Sequence, residues 1–299
     1  MKAIELENVT KTFGDVTALR GVDMAVDEGE VFGFLGPNGA GKTTTIDVLL
    51  DFVRPTTGTV TVLGHDAQDE PRAIRQRTGV LPEGFDIYER LNGRQHLRFV
   101  AEAKDADVDI AALLDRVGLS ADEADRKAGG YSKGMKQRLV LAMALIGDPD
   151  LLILDEPSTG LDPNGARRMR EIVREERDRG ATVFFSSHIL GQVEAVCDRV
   201  AILQNGEIIA TDTVEGLRAS TGAETVMRVT LAQPVDGVLG AVQVLDGVES
   251  ATLDGSTMTV QCSGDAKMEV LSAVEDAGGT VENFDSEETG LDELFATYT

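Results

Sequence analysis

Apolar residues follow two rhythms along this chain. Residues 3–9 alternate apolar with polar, as a half-buried strand does. Residues 31–35, 151–154 and 182–185 are short unbroken apolar runs, the mark of strands covered on both faces. Each run is followed by a helical stretch, the first spanning Gly41 to about Phe52. Strand followed by helix, repeated, predicts a mostly parallel α/β sheet. Residues 200–203 and 207–210 flank Asn205-Gly206, which predicts a hairpin.

Beyond Ser220-Thr221-Gly222, read as a linker, the rhythm changes. Residues 225–231 alternate like a strand, and 236–245 fit a helix. Residues 251–253 and 258–260 flank Asp254-Gly255-Ser256, a second hairpin. A helix over 265–277, a strand over 280–284 and a terminal helix over 291–297 complete the order β-α-β-β-α-β-α. That order predicts a small ferredoxin-like α+β domain. The chain is therefore divided into 1–218 and 219–299.

Charge sharpens the division. The 299 residues hold 52 Asp and Glu against 28 Lys and Arg, a net charge of −24. Residues 1–218 carry 37 acidic and 26 basic groups; residues 219–299 carry 15 and 2. So acidic a surface repels phosphate backbones, and nucleic acid is not an expected partner. Lys is scarce, 8 against 20 Arg, a balance that resembles proteins of salt-loving cells. The longest apolar run, 139–146, is eight residues, against roughly 20 for a membrane-spanning helix. With no leader-like segment and only Cys197 and Cys262, the cytoplasm is the expected compartment.

Chemistry enters at Gly36-Pro37-Asn38-Gly39-Ala40-Gly41-Lys42-Thr43, which matches G-x-x-x-x-G-K-[ST] between a strand and a helix. Glycines let the backbone curl so that its N–H groups face phosphate oxygens, and the helix N-terminus adds positive potential. Lys42 is expected on the β- and γ-phosphates, Thr43 on Mg²⁺, and Thr44 on a further phosphate oxygen. The apolar run 151–154 ends in Asp155 and Glu156. Asp155 suits a water-mediated Mg²⁺ contact, and Glu156 suits alignment and deprotonation of an attacking water. Together these segments predict a nucleoside triphosphatase.

Three more segments narrow the class. Tyr131-Ser132-Lys133-Gly134-Met135-Lys136-Gln137 precedes a strong helical run, Ser158-Thr159-Gly160-Leu161-Asp162 follows the acidic strand, and Ser187-His188 ends the next strand. The ordered set resembles the nucleotide-binding domain of ATP-binding cassette (ABC) transporters, over about residues 4–218. The resemblance implies a P-loop fold with an antiparallel β subdomain and a helical subdomain. It implies two cassettes paired head to tail, each ATP lying between one phosphate loop and the other subunit's Ser132, Lys133, Gly134 and Met135. It further implies that His188 touches the γ-phosphate, that Asp162 crosses the interface, and that Phe13 stacks on adenine. His65 and His96 have no such place and read as surface or packing residues.

Two positions depart from the family pattern. The common signature is Leu-Ser-Gly-Gly-Gln, and Tyr131, Lys133 and Met135 differ from it. At Gly79-Val80-Leu81-Pro82-Glu83 the family usually ends in Gln; Glu83 accepts from a metal-bound water but lacks the amide donor. Both departures resemble the ATPase subunits of drug, antibiotic, sodium or polysaccharide exporters, whose permeases are separate chains. Leu291-Asp292-Glu293-Leu294-Phe295 resembles the end of their C-terminal extensions. The expected function is an ATP-hydrolysing subunit at the cytoplasmic face of the membrane, working as a dimer with integral membrane permease subunits. The segment from about Gly84 to Leu97, read as helical, is expected to transmit the motion. The rival expectation is a soluble cassette ATPase acting on nucleic acid or ribosomes. One cassette, no sustained heptads and the acidic surface weigh against it.

Overall fold

The structure is a computed structural model and describes residues 1–220, 225–235, 237–263 and 266–288. The chain forms two compact units, residues 1–214 and 215–299. Helix α9 (Val214–Ser220) runs through the sequence boundary at 218, so the division falls four residues earlier than the composition change. Residues 221–222 of the expected linker, the helix starts at Asp236 and Asp265, and the terminal helix over 291–297 lie outside the described residues.

In the first unit the fully apolar runs pair side by side. A six-stranded sheet has the order β10-β9-β3-β8-β7-β6. Its strands are β3 (Val31–Leu35), β6 (Thr78–Leu81), β7 (Leu151–Asp155), β8 (Thr182–Ser187), β9 (Arg199–Gln204) and β10 (Glu207–Thr213). Only β10 is antiparallel, and it returns from β9 through Asn205-Gly206 as the hairpin signal required. A second sheet, β2-β1-β4-β5, is antiparallel throughout. It holds β1 (Lys2–Phe13), β2 (Val16–Asp27), β4 (Thr57–Val62) and β5 (His65–Asp66). Alternation in β1 and β2 turns Ile4, Leu6, Val22, Met24 and Val26 inward. They pack in one cluster with Phe32, Phe34 and Phe184 of the parallel sheet and with Ile46, Val48 and Leu49 of α1 (Lys42–Leu49). Phe34 and Phe184 touch with ring centroids 5.2 Å apart. Burying each such ring contributes about 1.5–3 kcal/mol.

Helix α2 (Pro71–Arg77) leads into β6, and α7 (Pro163–Asp178) and α8 (Leu190–Glu194) flank β8. A helical subdomain is inserted between β6 and β7: α3 (Gly93–Lys104), α4 (Ile110–Arg116), α5 (Ala121–Asp125) and α6 (Lys133–Leu145). Here one expectation fails. The helix read over 84–97 begins only at Gly93, because Asn92 caps it. The Asn92 side chain accepts from Gln95 N–H, and the Gln95 side chain accepts from Asn92 N–H, each at 2.9 Å. This reciprocal cap satisfies two free donors and fixes the start, so 84–92 stays non-helical.

The second unit has the strands β11 (Thr225–Leu231), β12 (Val248–Asp254), β13 (Thr257–Cys262) and β14 (Val281–Glu288), with helices α10 (Val238–Gln243) and α11 (Lys267–Asp276). The antiparallel order β12-β13-β11-β14 is that of a ferredoxin-like sheet. Its core is its own: Met227, Val229, Val238, Val242, Met258, Val260, Val270 and Val274.

Candidate nucleotide site

Parallel strands carry their loops to one edge, and ligands of such sheets sit beyond the carboxyl ends. In the order β3-β8-β7-β6, Leu35 lies beside Ser187, Asp155 beside Ser186, and Leu81 beside Leu154. The phosphate loop, Asp155-Glu156, His188 and Glu83 therefore emerge side by side.

The loop is shaped by what its glycines avoid. A Cβ on Gly36 would lie 2.4 Å from the Leu203 carbonyl oxygen, and one on Gly41, at φ +114°, would lie 2.8 Å from that of Ala18. Neither backbone oxygen can yield, so both positions exclude a side chain. Lys42 is buried and curls back into the loop, its Nζ donating to Gly36 O at 2.7 Å and Pro37 O at 3.3 Å. The same Nζ lies 3.6 Å from Glu156 Oε1. Pro37, Asn38, Gly39 and Ala40 form the rim, and Thr43 and Thr44 open the helix behind it.

Glu156 is the pivot. It stands one residue past β7 at φ +49°, a left-handed conformation rare for Glu, with its N–H donating to Ser186 O. This turn swings the carboxylate away from the path Asp155 takes. Oε1 pairs with His188 Nδ1 at 2.8 Å, while Oε2 is buried without a hydrogen-bond partner. A buried orphan oxygen calls for a water or ligand donor. Asp155 is held differently: Ser186 Oγ donates to Oδ1 at 2.8 Å and Thr43 Oγ1 to Oδ2 at 3.3 Å. Burial pushes the Asp155 carboxyl above its ordinary pKa; nearby Glu83 adds to this, while Ser186, Thr43 and Lys42 oppose it.

Among the described residues, no group of three or more His, Cys, Asp or Glu side chains gathers to hold a metal. Thr43 and Asp155 still fit Mg²⁺, which takes few protein oxygens and completes its shell with water and substrate phosphates. Glu83 is exposed and makes no direct bond to them; it lines a cavity of about 280 Å³ with Asp155, Glu156, Lys133 and Gln137.

The signature residues divide by exposure. Ser132 caps α6, its Oγ accepting from Met135 N–H at 3.2 Å, and both Ser132 and Lys133 are exposed. Gly134 lies against Gly160, where a Cβ would come 3.1 Å from the Gly160 oxygen. Met135, expected at the nucleotide of a second subunit, is buried in the single chain, with Sδ 3.6 Å from Arg126 and its N–H donating to Ser132 Oγ. Its side chain packs the subunit. Tyr131 is also buried and donates to Glu123 O at 2.8 Å. Asp162 is exposed and caps α7, accepting from Gly165 N–H at 2.9 Å.

Phe13 is not a core residue: it is 48% exposed. It pairs with Val16 across a tight turn, and Ala18, two residues further, touches Gly41. The ring thus lies on the hairpin that borders the phosphate loop. His96 is a packing residue, 2% exposed, with Nδ1 2.8 Å from Asn92 O and Nε2 accepting from Tyr88 N–H at 3.1 Å. Sequence reasoning missed this pair of bonds, since nothing local marks residue 88 as a partner of residue 96.

The chain is similar to known proteins. The ABC transporter family profile matches residues 19–159. An ABC transporter ATP-binding protein of Nostoc sp. is 46% identical over 69% of this chain and 62% of its own length. The match thus spans under two thirds of that relative. A daunorubicin resistance ATP-binding protein of Streptomyces coeruleorubidus is 36% identical over 99% of this chain and 96% of its own. Among solved structures, an ATP-binding subunit of an ABC transporter superposes with a TM-score of 0.69 at 32% identity, covering 74% of this chain and 93% of that one. With the phosphate loop, Asp155-Glu156, Glu83 and His188 on one sheet edge, the chain belongs to the ABC transporter family as an ATP-binding subunit, the ATPase cassette of such transporters.

Proposed function

We propose that this chain binds MgATP, pairs with a second cassette, and drives export through a separate membrane permease. The observation that carries the catalytic reading is Glu156, whose Oε1 meets His188 and Lys42 and whose Oε2 is buried and free to accept from a water. Lys42 and the loop N–H groups hold the β- and γ-phosphates. Thr43 and Asp155 would hold Mg²⁺, which would neutralise phosphate charge when bound. Glu156 orients the water and takes its proton as the water attacks the γ-phosphorus in line. His188 fixes Glu156 through Nδ1, leaving Nε2 for the γ-phosphate.

Exposed Ser132 and Lys133 at the start of a 13-residue helix support a site completed in trans. Their N–H groups and the lysine charge suit a γ-phosphate presented by a second subunit. The exposure of Asp162 at the cap of α7 supports its contact with that subunit.

A partner in the membrane is supported by an apolar groove of about 340 Å³ lined by Val80, Pro82, Phe85, Ile87, Val100 and Met143. Exposed Tyr88 and Phe99 stand together in the same subdomain. Among the described residues no helix is long and apolar enough to cross a membrane. The relative named for daunorubicin resistance supports export, and the acidic surface supports a high-salt cytoplasm. The second unit, with its own core, is proposed as a separate domain of supporting role. Equilibrium binding of MgATP tests the site: the full chain should bind, Lys42→Ala should not, and equal affinity would refute it.

A further inference from the structure

The ring of Phe13 is not bare on both faces. Lys11 and Phe13 are two apart in β1, so their side chains leave the same face of the strand. Lys11 Nζ stands 4.6 Å from the Phe13 ring centroid. A second contact fixes it there: Nζ donates to Arg54 O at 2.8 Å. The segment carrying that carbonyl is itself tied to β1, Thr56 N–H donating to Thr10 O at 2.7 Å and Thr56 Oγ1 accepting from Thr12 N–H at 3.0 Å. The ammonium is therefore held over an aromatic ring that is itself 48% exposed. Cations stand over two other rings, Arg199 over fully buried Phe32 and Arg75 over exposed Phe52, both at more than 5 Å. Lys11 backs a ring with a surface to offer.

We infer that Lys11 is a positioning residue for the nucleotide base: it pins Phe13 from one side and leaves the opposite face to stack the purine. This rests on the reading of Phe13 as the base platform. The cation attracts the negative face of the ring, which limits its rotation and draws π-electron density toward the lysine. A ring so polarised is a better partner for an electron-rich purine on its other face. Lys11 acts through Phe13 and not through the triphosphate, so its effect requires a base on the ligand.

The test uses the full chain and four variants: Lys11→Met, Lys11→Arg, Phe13→Ala and the Lys11→Met/Phe13→Ala pair. Steady-state hydrolysis gives KM for ATP, and inorganic tripolyphosphate serves as a competitor with no base. Lys11→Met should raise KM about two- to fivefold, the size of an exposed cation–π contact, while changing kcat less. Lys11→Arg should restore KM, because guanidinium also sits over a ring. Phe13→Ala should raise KM, and adding Lys11→Met to it should raise KM no further. Inhibition by tripolyphosphate should be equal in wild type and Lys11→Met. The chain has no Trp, so Phe13→Trp supplies a single tryptophan, excited at wavelengths beyond the absorption of the 3 Tyr. Lys11→Met should shift its emission before nucleotide is added. Unchanged KM in Lys11→Met beside a raised KM in Phe13→Ala overturns the inference alone. Weakened tripolyphosphate binding in Lys11→Met also overturns it, showing a plain charge effect. Wild-type KM in Phe13→Ala removes the base platform and the inference together.

Discussion

His188 Nδ1 and Glu156 Oε1 stand 2.8 Å apart, joining the ends of two adjacent parallel strands. The histidine holds one carboxylate oxygen and so decides where the other is aimed. His188→Ala removes that anchor. A hydrogen bond to a charged group contributes about 1.5–3 kcal/mol, which corresponds to roughly a 10- to 150-fold loss in kcat. ATP affinity should fall far less than kcat, since the phosphate loop is untouched and only the Nε2 contact proposed for the γ-phosphate is lost with the ring. Turnover and nucleotide binding measured on the same preparation check both halves.

Asp155 is costly to the empty protein. Its raised pKa means the folded state favours the protonated form, so stability falls as pH rises from the unfolded carboxylate value through the folded one. At neutral pH the buried charge is opposed only in part by Ser186, Thr43 and Lys42. Asp155→Asn keeps an acceptor for Ser186 and a donor for Thr43 without the charge. The nucleotide-free variant should therefore melt at a higher temperature than wild type, while MgATP should no longer raise its Tm. A lower Tm without nucleotide would contradict the argument.

The places of the candidate residues were more legible than the helix boundaries. The phosphate loop, Asp155 and Glu156 follow from motif plus strand, because a buried parallel strand writes itself as an unbroken apolar run. The second hairpin and the ferredoxin-like order were legible from Asp254-Gly255 between alternating segments. The helix expected over 84–97 was not, since its start depends on a reciprocal Asn92–Gln95 cap. The surroundings of Met135 were not legible either: its sulfur meets Arg126, which a linear pattern does not place nearby. The left-handed turn at Glu156 has no sequence mark either, as Glu seldom adopts it.

Ser132→Arg should leave ATP binding by the free subunit nearly intact and stop hydrolysis, because the bulky cation sits on the surface offered to a partner. Mixing it with Lys42→Ala, itself inactive, should recover activity: their heterodimer keeps one phosphate loop facing one intact signature. Two inactive proteins that stay inactive when mixed would argue against completion in trans.

A chain ended after Ser220 should fold and hydrolyse ATP, since each unit has its own core. Circular dichroism and turnover at the salt that suits the full chain check this. An insoluble truncated protein would show a shared core.

Replacing Glu156 by Gln most directly tests the claim that Glu156 is the base of a shared two-subunit site. The amide keeps the shape and can still hold the water, yet it cannot take the proton, so about 10²–10⁴ in rate should vanish. It also removes one negative charge per subunit beside the phosphates. Gel filtration with MgATP, in salt enough to screen the acidic surfaces, should show Glu156→Gln as a stable dimer that hydrolyses almost nothing and wild type as mostly monomer. Hydrolysis by Glu156→Gln at the wild-type rate would contradict the account at its central step.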